Sequence, residues 1–236
     1  MRKILFLALS AFILNQVATA QDEHETIEGN GKLVTKEIPV TSFDALKASG
    51  VYELKLSQGS KEAVKIEADE NLLELFEVKN EGNQLVIETK KMKNKNLKTK
   101  NKMRVYITFK NLKSMELATV GNVSSDEQLS FNDLEMNNRC VGNVDLKLTA
   151  NKIHIKNTSV GDVKLDGKAD EAVVKNTGVG SLKAGSFVVQ TMNIENTGVG
   201  GADVNAEKDL KVKDSFLGKV KNKGNAPVRK MNKVRV

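Results

Sequence analysis

The chain has 236 residues, a formal charge of +7, one Cys, two Pro and no Trp. Apolar residues make up 39 % and there are 17 glycines, an ordinary globular composition that excludes a disulfide scaffold, a collagen and a wholly disordered chain. The size admits one large domain or two small ones.

Residues 1–20 read as a secretory signal peptide: Arg2 and Lys3 precede an apolar run from Ile4 to Leu14, and Ala18-Thr19-Ala20 supplies an A-x-A cleavage site. The run is too short to cross about 30 Å of hydrocarbon. No later segment is long and apolar enough to span, so an exported chain, periplasmic or extracellular, is expected. Cys140 is alone and has no internal disulfide partner. Its apolar-patterned position predicts a buried small side chain, with a reactive thiol as the alternative.

The next part, 21–114, reads as β-rich with one short helix. Strands are predicted at 32–38, 51–57, 63–68, 84–89 and 103–109, where apolar residues alternate. Turns fall at Gln58-Gly59-Ser60 and Glu81-Gly82-Asn83. Asp69 to Phe76 reads as a helix capped by Asp69, with Leu72, Leu73 and Phe76 on one face.

From 115 to 236 one pattern recurs six times. Its glycines are Gly121, Gly142, Gly161, Gly180, Gly200 and Gly218, spaced 21, 19, 19, 20 and 18 apart. Val or Leu stands just before each glycine, and an apolar residue stands two after it. Met115, Met136, Ile155, Val174, Ile194 and Val212 recur five before that Val or Leu. Apolar spacing of two inside each copy means short strands with one buried face. One copy cannot cover that face, but stacked copies can. The reading is an all-β, right-handed parallel β-solenoid of about six coils with a β-rich N-terminal cap region, packed as one continuous unit. Neighbouring coils would lie about 4.8 Å apart. The recurrent glycine implies a corner with positive φ or close backbone approach. Asn138, Asn157, Asn176 and Asn196, with Asp214 in the last copy, imply side chains that stack and bond from coil to coil; Thr158, Thr177 and Thr197 would stack likewise. An antiparallel sandwich also accommodates short period-two strands.

Charge is unevenly distributed. Segment 90–104 holds eight basic residues and no acid: Lys90, Lys91, Lys93, Lys95, Lys98, Lys100, Lys102 and Arg104. Segment 219–236 holds seven basic residues and no acid. Without Arg2, Lys3 and both segments the body carries −10. The first segment is the candidate polyanion-binding site, with an acidic glycan or lipopolysaccharide phosphates as ligand classes. A solvated loop is the plainer reading of the same residues. Lys219, Lys221 and Lys223 fit lysines that guard an open sheet edge.

Residues 43–88 resemble the head domain called GIN, found in secreted adhesin-like proteins of Bacteroidota. The resemblance rests on Phe43-Asp44-x-Leu46, Ser49-Gly50, Gln58-Gly59 and Ala68-Asp69-Glu70-Asn71-Leu72, and on Asn111-Leu112-Lys113-Ser114 before the repeats. It covers roughly 30–236. It implies a β-helix-like fold and an adhesive role, and it supplies no functional residues. The coils depart from the family's S-G-A-G-D type of repeat.

Catalytic and metal chemistry find no support. His24 and His154 are the only histidines, and His154, between Ile153 and Ile155, should face solvent. Cys140 and His154 could imitate a thiol–imidazole pair, but nothing orients them. Asp145, Asp162 and Asp203 occur singly; on one face they would hold calcium weakly. No catalytic residue, cofactor or metal site is assigned. The expectation is a non-enzymatic cell-envelope or secreted binding module without nucleic-acid partners. The alternatives are a structural envelope protein acting through protein contact and, by fold analogy alone, a glycan-processing enzyme.

Overall fold

The structure, a computed structural model, describes residues 25–90 and 95–231. The signal peptide expected at 1–20, and Lys91 and Lys93 of the basic segment, lie outside them. In chain order the elements are β1 (Glu25–Glu28), β2 (Leu33–Ile38), β3 (Ala45–Gly50), β4 (Glu53–Gln58), β5 (Ala63–Asp69), a 3-10 helix (Glu70–Leu75), β6 (Phe76–Glu81), β7 (Gln84–Thr89) and β8 (Lys95–Lys98). There follow β9 (Arg104–Phe109), β10 (Ser114–Thr119), β11 (Val123–Ser125), β12 (Leu129–Asn138), β13 (Val144–Asn157), β14 (Val163–Asn176), β15 (Leu182–Asn196), β16 (Ala202–Asp214), β17 (Val220–Asn222) and β18 (Val228–Lys230).

The chain divides into two compact units. The smaller comprises 1–27 and 92–98; its described part contains the β1–β8 pairing, where Lys95 Nζ lies 2.8 Å from Glu25.

The larger unit is a parallel β-solenoid of about six turns. The repeat register read from the sequence is the register of the stack. Met115, Met136, Ile155, Val174, Ile194 and Val212 lie one above another, and all six are buried. Val123, Val144, Val163, Leu182, Ala202 and Val220 form a second ladder. Burying a Val- or Ile-sized side chain stabilises by about 1.5–3 kcal/mol, so these columns supply the main cohesion of coils that share no covalent link beyond the chain itself. The spacing of 20 between Gly180 and Gly200 is absorbed locally. The β14–β15 register shifts by one between Lys164 and Asp166, at the bulge that contains Gly185.

The glycines stack for one of the two anticipated reasons. None of the six repeat glycines has positive φ. A Cβ on Gly161 would instead sit 2.4 Å from the carbonyl oxygen of Gly142, and one on Gly180 would sit 2.4 Å from that of Gly161. The corner is tight because backbone lies directly on backbone.

The asparagine ladder is present and buried. Asn138 Nδ2 donates to Asn157 Oδ1 at 2.7 Å, Asn157 Nδ2 to Asn176 Oδ1 at 2.7 Å, and Asn176 Nδ2 to Asn196 Oδ1 at 2.6 Å. Asn196 Nδ2 then donates to the Gly218 carbonyl at 2.7 Å. Asp214 is in register with Asn196 but turns its carboxylate to Lys230 at 2.6 Å. The threonines behave differently: Thr158 and Thr177 lie on the surface, and their hydroxyls reach back to the carbonyls of Asn138 and Asn157.

The N-terminal half contributes coils out of chain order. β10 pairs in parallel with β3, which pairs in parallel with β7. β11 pairs with β4, which pairs with β9. Strands 45–58 therefore lie between β7 and β9 on one side and the coil at 114–125 on the other. Antiparallel β6 closes one outer edge against β7, and β5 followed by β2 continues the sheet beyond β9.

The helix expected at 69–76 is instead a single 3-10 segment from Glu70 to Leu75, and Asp69 makes no side-chain cap to it. Leu72 and Leu75 are its buried residues. Phe76 begins β6, because alternation from Phe76 onward lets it pair with Thr89 of β7.

Candidate functional site

The basic segment is built around a buried acid. Asp69 has no exposed surface, and its Oδ2 accepts the backbone N–H of Lys100 at 3.0 Å while Oδ1 accepts from Asn101 Nδ2 at 2.6 Å. The Asn101 side-chain amide is the main reason its carboxyl is held below the usual carboxylate range, with the backbone N–H groups of Lys100, Asn101 and Gly31 adding to it. Gly29 gives the carboxylate its space, since a Cβ there would lie 1.9 Å from Oδ2. The turn leading into β9 is thus fixed from inside.

The structure distributes the eight basic residues unequally. Arg104 is half-buried and committed to two carboxylates, donating from Nε to Glu53 at 3.1 Å and from Nη1 to Glu67 at 2.5 Å. Glu67, then Glu53, raise its pKa. Lys102 Nζ lies 2.7 Å from Glu53, and Lys102 is the chief cause of the lowered pKa of Glu53. Lys100 is 3.7 Å from Glu28. Lys95, in the smaller unit, meets Glu25. Lys90 and Lys98 are exposed. Lys100, Lys102 and Arg104 therefore come together along one run of chain with carboxylates between them, an arrangement that the sequence segment, free of acids, does not suggest.

The repeated acids are likewise paired. Asp145, Lys164, Lys183 and Asp203 occupy one outward column. Lys164 Nζ is 3.2 Å from Asp145 Oδ2, Lys183 lies 2.6 Å from Asp162, and Lys223 lies 3.0 Å from Asp203. Among the described residues no group of three or more His, Cys, Asp or Glu is arranged to hold a metal ion.

An open groove of about 810 Å³ lies where the stack is incomplete. β10 lies beside β12 only from Glu135 to Asn138, so the start of β12 has no strand on that side. Gln58 substitutes for one: its Nε2 donates to the Ser130 carbonyl at 3.0 Å, and its Oε1 accepts the Ser130 N–H at 2.8 Å. Phe131 and Leu134 lie beneath the groove, with Lys152 and His154 on its wall. His154 is exposed, whereas Cys140 is fully buried and 3.3 Å from the Thr119 hydroxyl. Burial pushes the Cys140 thiol up. The two side chains therefore occupy opposite sides of the coil wall and form no nucleophile–base pair.

One surface was not legible as such in the sequence. The valines that precede the glycines are outside the core. Val120, Val141, Val160, Val179 and Val199 are 51 to 58 % exposed, and Val51 is 39 % exposed. Successive backbone bonds hold them in line: Val120 N–H to Gly50, Val141 to Thr119, Val160 to Cys140 and Val179 to Ser159. The signal was present as an apolar residue beside a tight-turn glycine, but period alone does not tell the inside of a corner from the outside.

The family motif residues turn out to bind the coils together. Asp44 Oδ2 lies 2.7 Å from Lys113 Nζ, and Asp44 also accepts from Asn83 Nδ2, which links three consecutive layers. Asn71 accepts the Asn30 N–H and donates to the Glu28 carbonyl.

Residues 42–226 match the family model described as "Putative auto-transporter adhesin, head GIN domain". A crystal structure of a "putative adhesin" from Bacteroides fragilis NCTC 9343 superposes with a TM-score of 0.74 at 27 % identity, covering 87 % of this chain and 100 % of that one. A "putative adhesin" from Parabacteroides distasonis ATCC 8503 shares the fold with a TM-score of 0.67 at 22 % identity, over 88 % and 96 % of the two chains. A "putative lipid binding protein" from the same strain shares it at 0.54 and 20 % identity, over 88 % and 100 %. A search of curated proteins found no match. With its head motifs, its stacked coils and a match over most of its length, the chain belongs to the auto-transporter adhesin head GIN domain family.

Proposed function

We propose that the chain is an exported, non-enzymatic binding module of the cell envelope, adhesin-like in role, whose basic segment meets a polyanion such as an acidic glycan or lipopolysaccharide. Family membership supports the adhesive class. The observation that carries the ligand class is that Lys100 and Lys102 stand in solvent in side-chain ion pairs. Exposed pairs of this kind are worth about 0–1 kcal/mol each, so a ligand that presents several phosphates or sulfates at once displaces them at small cost. Arg104 keeps its two partners and acts as the anchor of the segment. A second reading, a structural envelope protein that works through protein contact, draws on the exposed valine column.

Binding of a sulfated polysaccharide, of lipopolysaccharide and of neutral glycans to the purified chain tests the proposal at low and high salt. Polyanion binding that weakens steeply with salt, and falls on changing Lys95, Lys98, Lys100 and Lys102 to Gln, is expected. Binding that ignores those four changes rejects the segment. Turnover of a glycan by the purified chain rejects the non-enzymatic role.

A further inference from the structure

We infer that the valine column is the contact between two copies of this chain, packed solenoid to solenoid with the coils running in opposite directions. The column is regular, with one apolar side chain per coil at about 4.8 Å. A partner that fills the notches between such side chains must carry the same repeat, and the second copy's own column does. A two-fold axis brings the same patch of each copy together and closes the assembly at two.

The area is of the right order. Six half-exposed valines present several hundred Å² per copy, and with the polar margins this approaches the roughly 800 Å² per partner of a stable interface. The margins suit a neutral contact. Arg139, Thr158, Thr177 and Thr197 lie on one side, with Arg139 paired to Glu116 at 3.8 Å, and Asn143 and Ser181 lie on the other. Asp162, the acid in that outer row, is already tied to Lys183 at 2.6 Å. Two such margins bring fewer like charges together than the flanking faces would, where Lys and Asp or Glu alternate.

Charge selects the direction. Among the described residues of the C-terminal end, Lys219 and Lys221 stand outside any carboxylate pair, whereas Lys223, Arg229 and Lys230 are tied to Asp203, Asp209 and Asp214. With the coils running the same way, the two basic ends would lie side by side. With the coils opposed, they are separated by the length of the column, about 20–25 Å, beyond the Debye length at physiological salt. Val120 then faces the region of Val179 in the other copy, and Val141 faces the region of Val160.

Sedimentation velocity of the purified chain over a range of concentrations tests this. A concentration-dependent dimer is expected, with its dissociation constant raised roughly tenfold or more in Val160→Lys/Val179→Lys, while thermal melting shows the variant still folded. The milder Val160→Thr/Val179→Thr pair should weaken the dimer in the same direction. An equimolar mixture of Val120→Cys and Val179→Cys chains should crosslink under mild oxidation, and Val199→Cys chains alone should not. A monomer at every concentration, or a dimer unaffected by the lysine variants, overturns the inference. Self-crosslinking of Val199→Cys overturns the opposed arrangement. A monomer that co-sediments with phosphatidylglycerol vesicles and ceases to do so in the lysine variant overturns it in favour of a lipid-facing column.

Discussion

Asn157 donates its side-chain amide to Asn176 at 2.7 Å, and both side chains are buried. Asn157 and Asn176 are each donor to the coil above and acceptor from the coil below, so one substitution there leaves two buried groups without partners. Asn157→Ala should cost about 2–4 kcal/mol, read as a lowered midpoint in urea with an unchanged slope. Asn138→Ala, at the start of the column, breaks only one such side-chain bond and should cost less.

Gly161 and Val160 are adjacent and should respond very unequally. Gly161→Ala forces a methyl group against the Gly142 carbonyl, where backbone cannot yield without opening the stack. A loss of about 2 kcal/mol or more is expected. Val160→Ala removes a half-exposed side chain and should shift monomer stability by no more than about 1 kcal/mol. Calorimetric melting temperatures of the two variants check the contrast.

Acid should loosen the region around Asp69. Its folded pKa lies below the unfolded value of about 3.9, because the Asn101 side chain and three backbone N–H groups favour the ionised form. The stabilisation is therefore complete above that unfolded value and is lost as pH falls through the lower folded one. Asp44 follows the same sign, since Lys113 and Asn83 lower its pKa. Asp69→Asn should melt earlier than the parent at pH 7 and show a flatter dependence below pH 4, measured by thermal unfolding across pH.

Cys140 should be inert in the folded chain. It is buried, and burial disfavours its thiolate. A disulfide-exchange reagent should modify it only after denaturation. Cys140→Ser should fold, because Thr119 and Ser159 already place hydroxyls in the neighbouring coils of the same column, each donating to a glycine carbonyl two residues on at 3.0 Å.

The stack was legible wherever a residue type repeated. The buried columns through Ile155 and Val163, and the amide column through Asn157, follow from spacing alone, because a solenoid places each residue over its counterpart one period later. The N-terminal half was legible strand by strand, with β2, β4, β5, β7 and β9 close to their expected limits, but its pairing was not. Ala45 to Gly50 is short and rich in small residues, so it escaped notice, although Leu46 and Ala48 sit in the core. Asp69 has the sequence context of a helix cap, and its true partner is Asn101, some thirty residues away, beyond the reach of a local rule. The surface was hardest to read. The basic segment contains no acid, yet Glu53 and Glu67 arrive beside Arg104 from two other strands. The valine column has the same alternation in sequence as a core column, and only the corner geometry turns it outward.

The layering of the N-terminal half sets an order of assembly. Strands 45–58 need β7 and β9 on one side and the coil of 114–125 on the other. Both arrive later in the chain, so the first layer made is the third to find its place. A ribosome must deliver about 125 residues before that sandwich can close, and the loops joining it cost entropy before any contact repays them. After that point each added coil has a finished template. Growth of the solenoid is then local and stepwise, so truncations from the C-terminus should shorten a folded stack, whereas a cut before residue 125 should leave no nucleus at all.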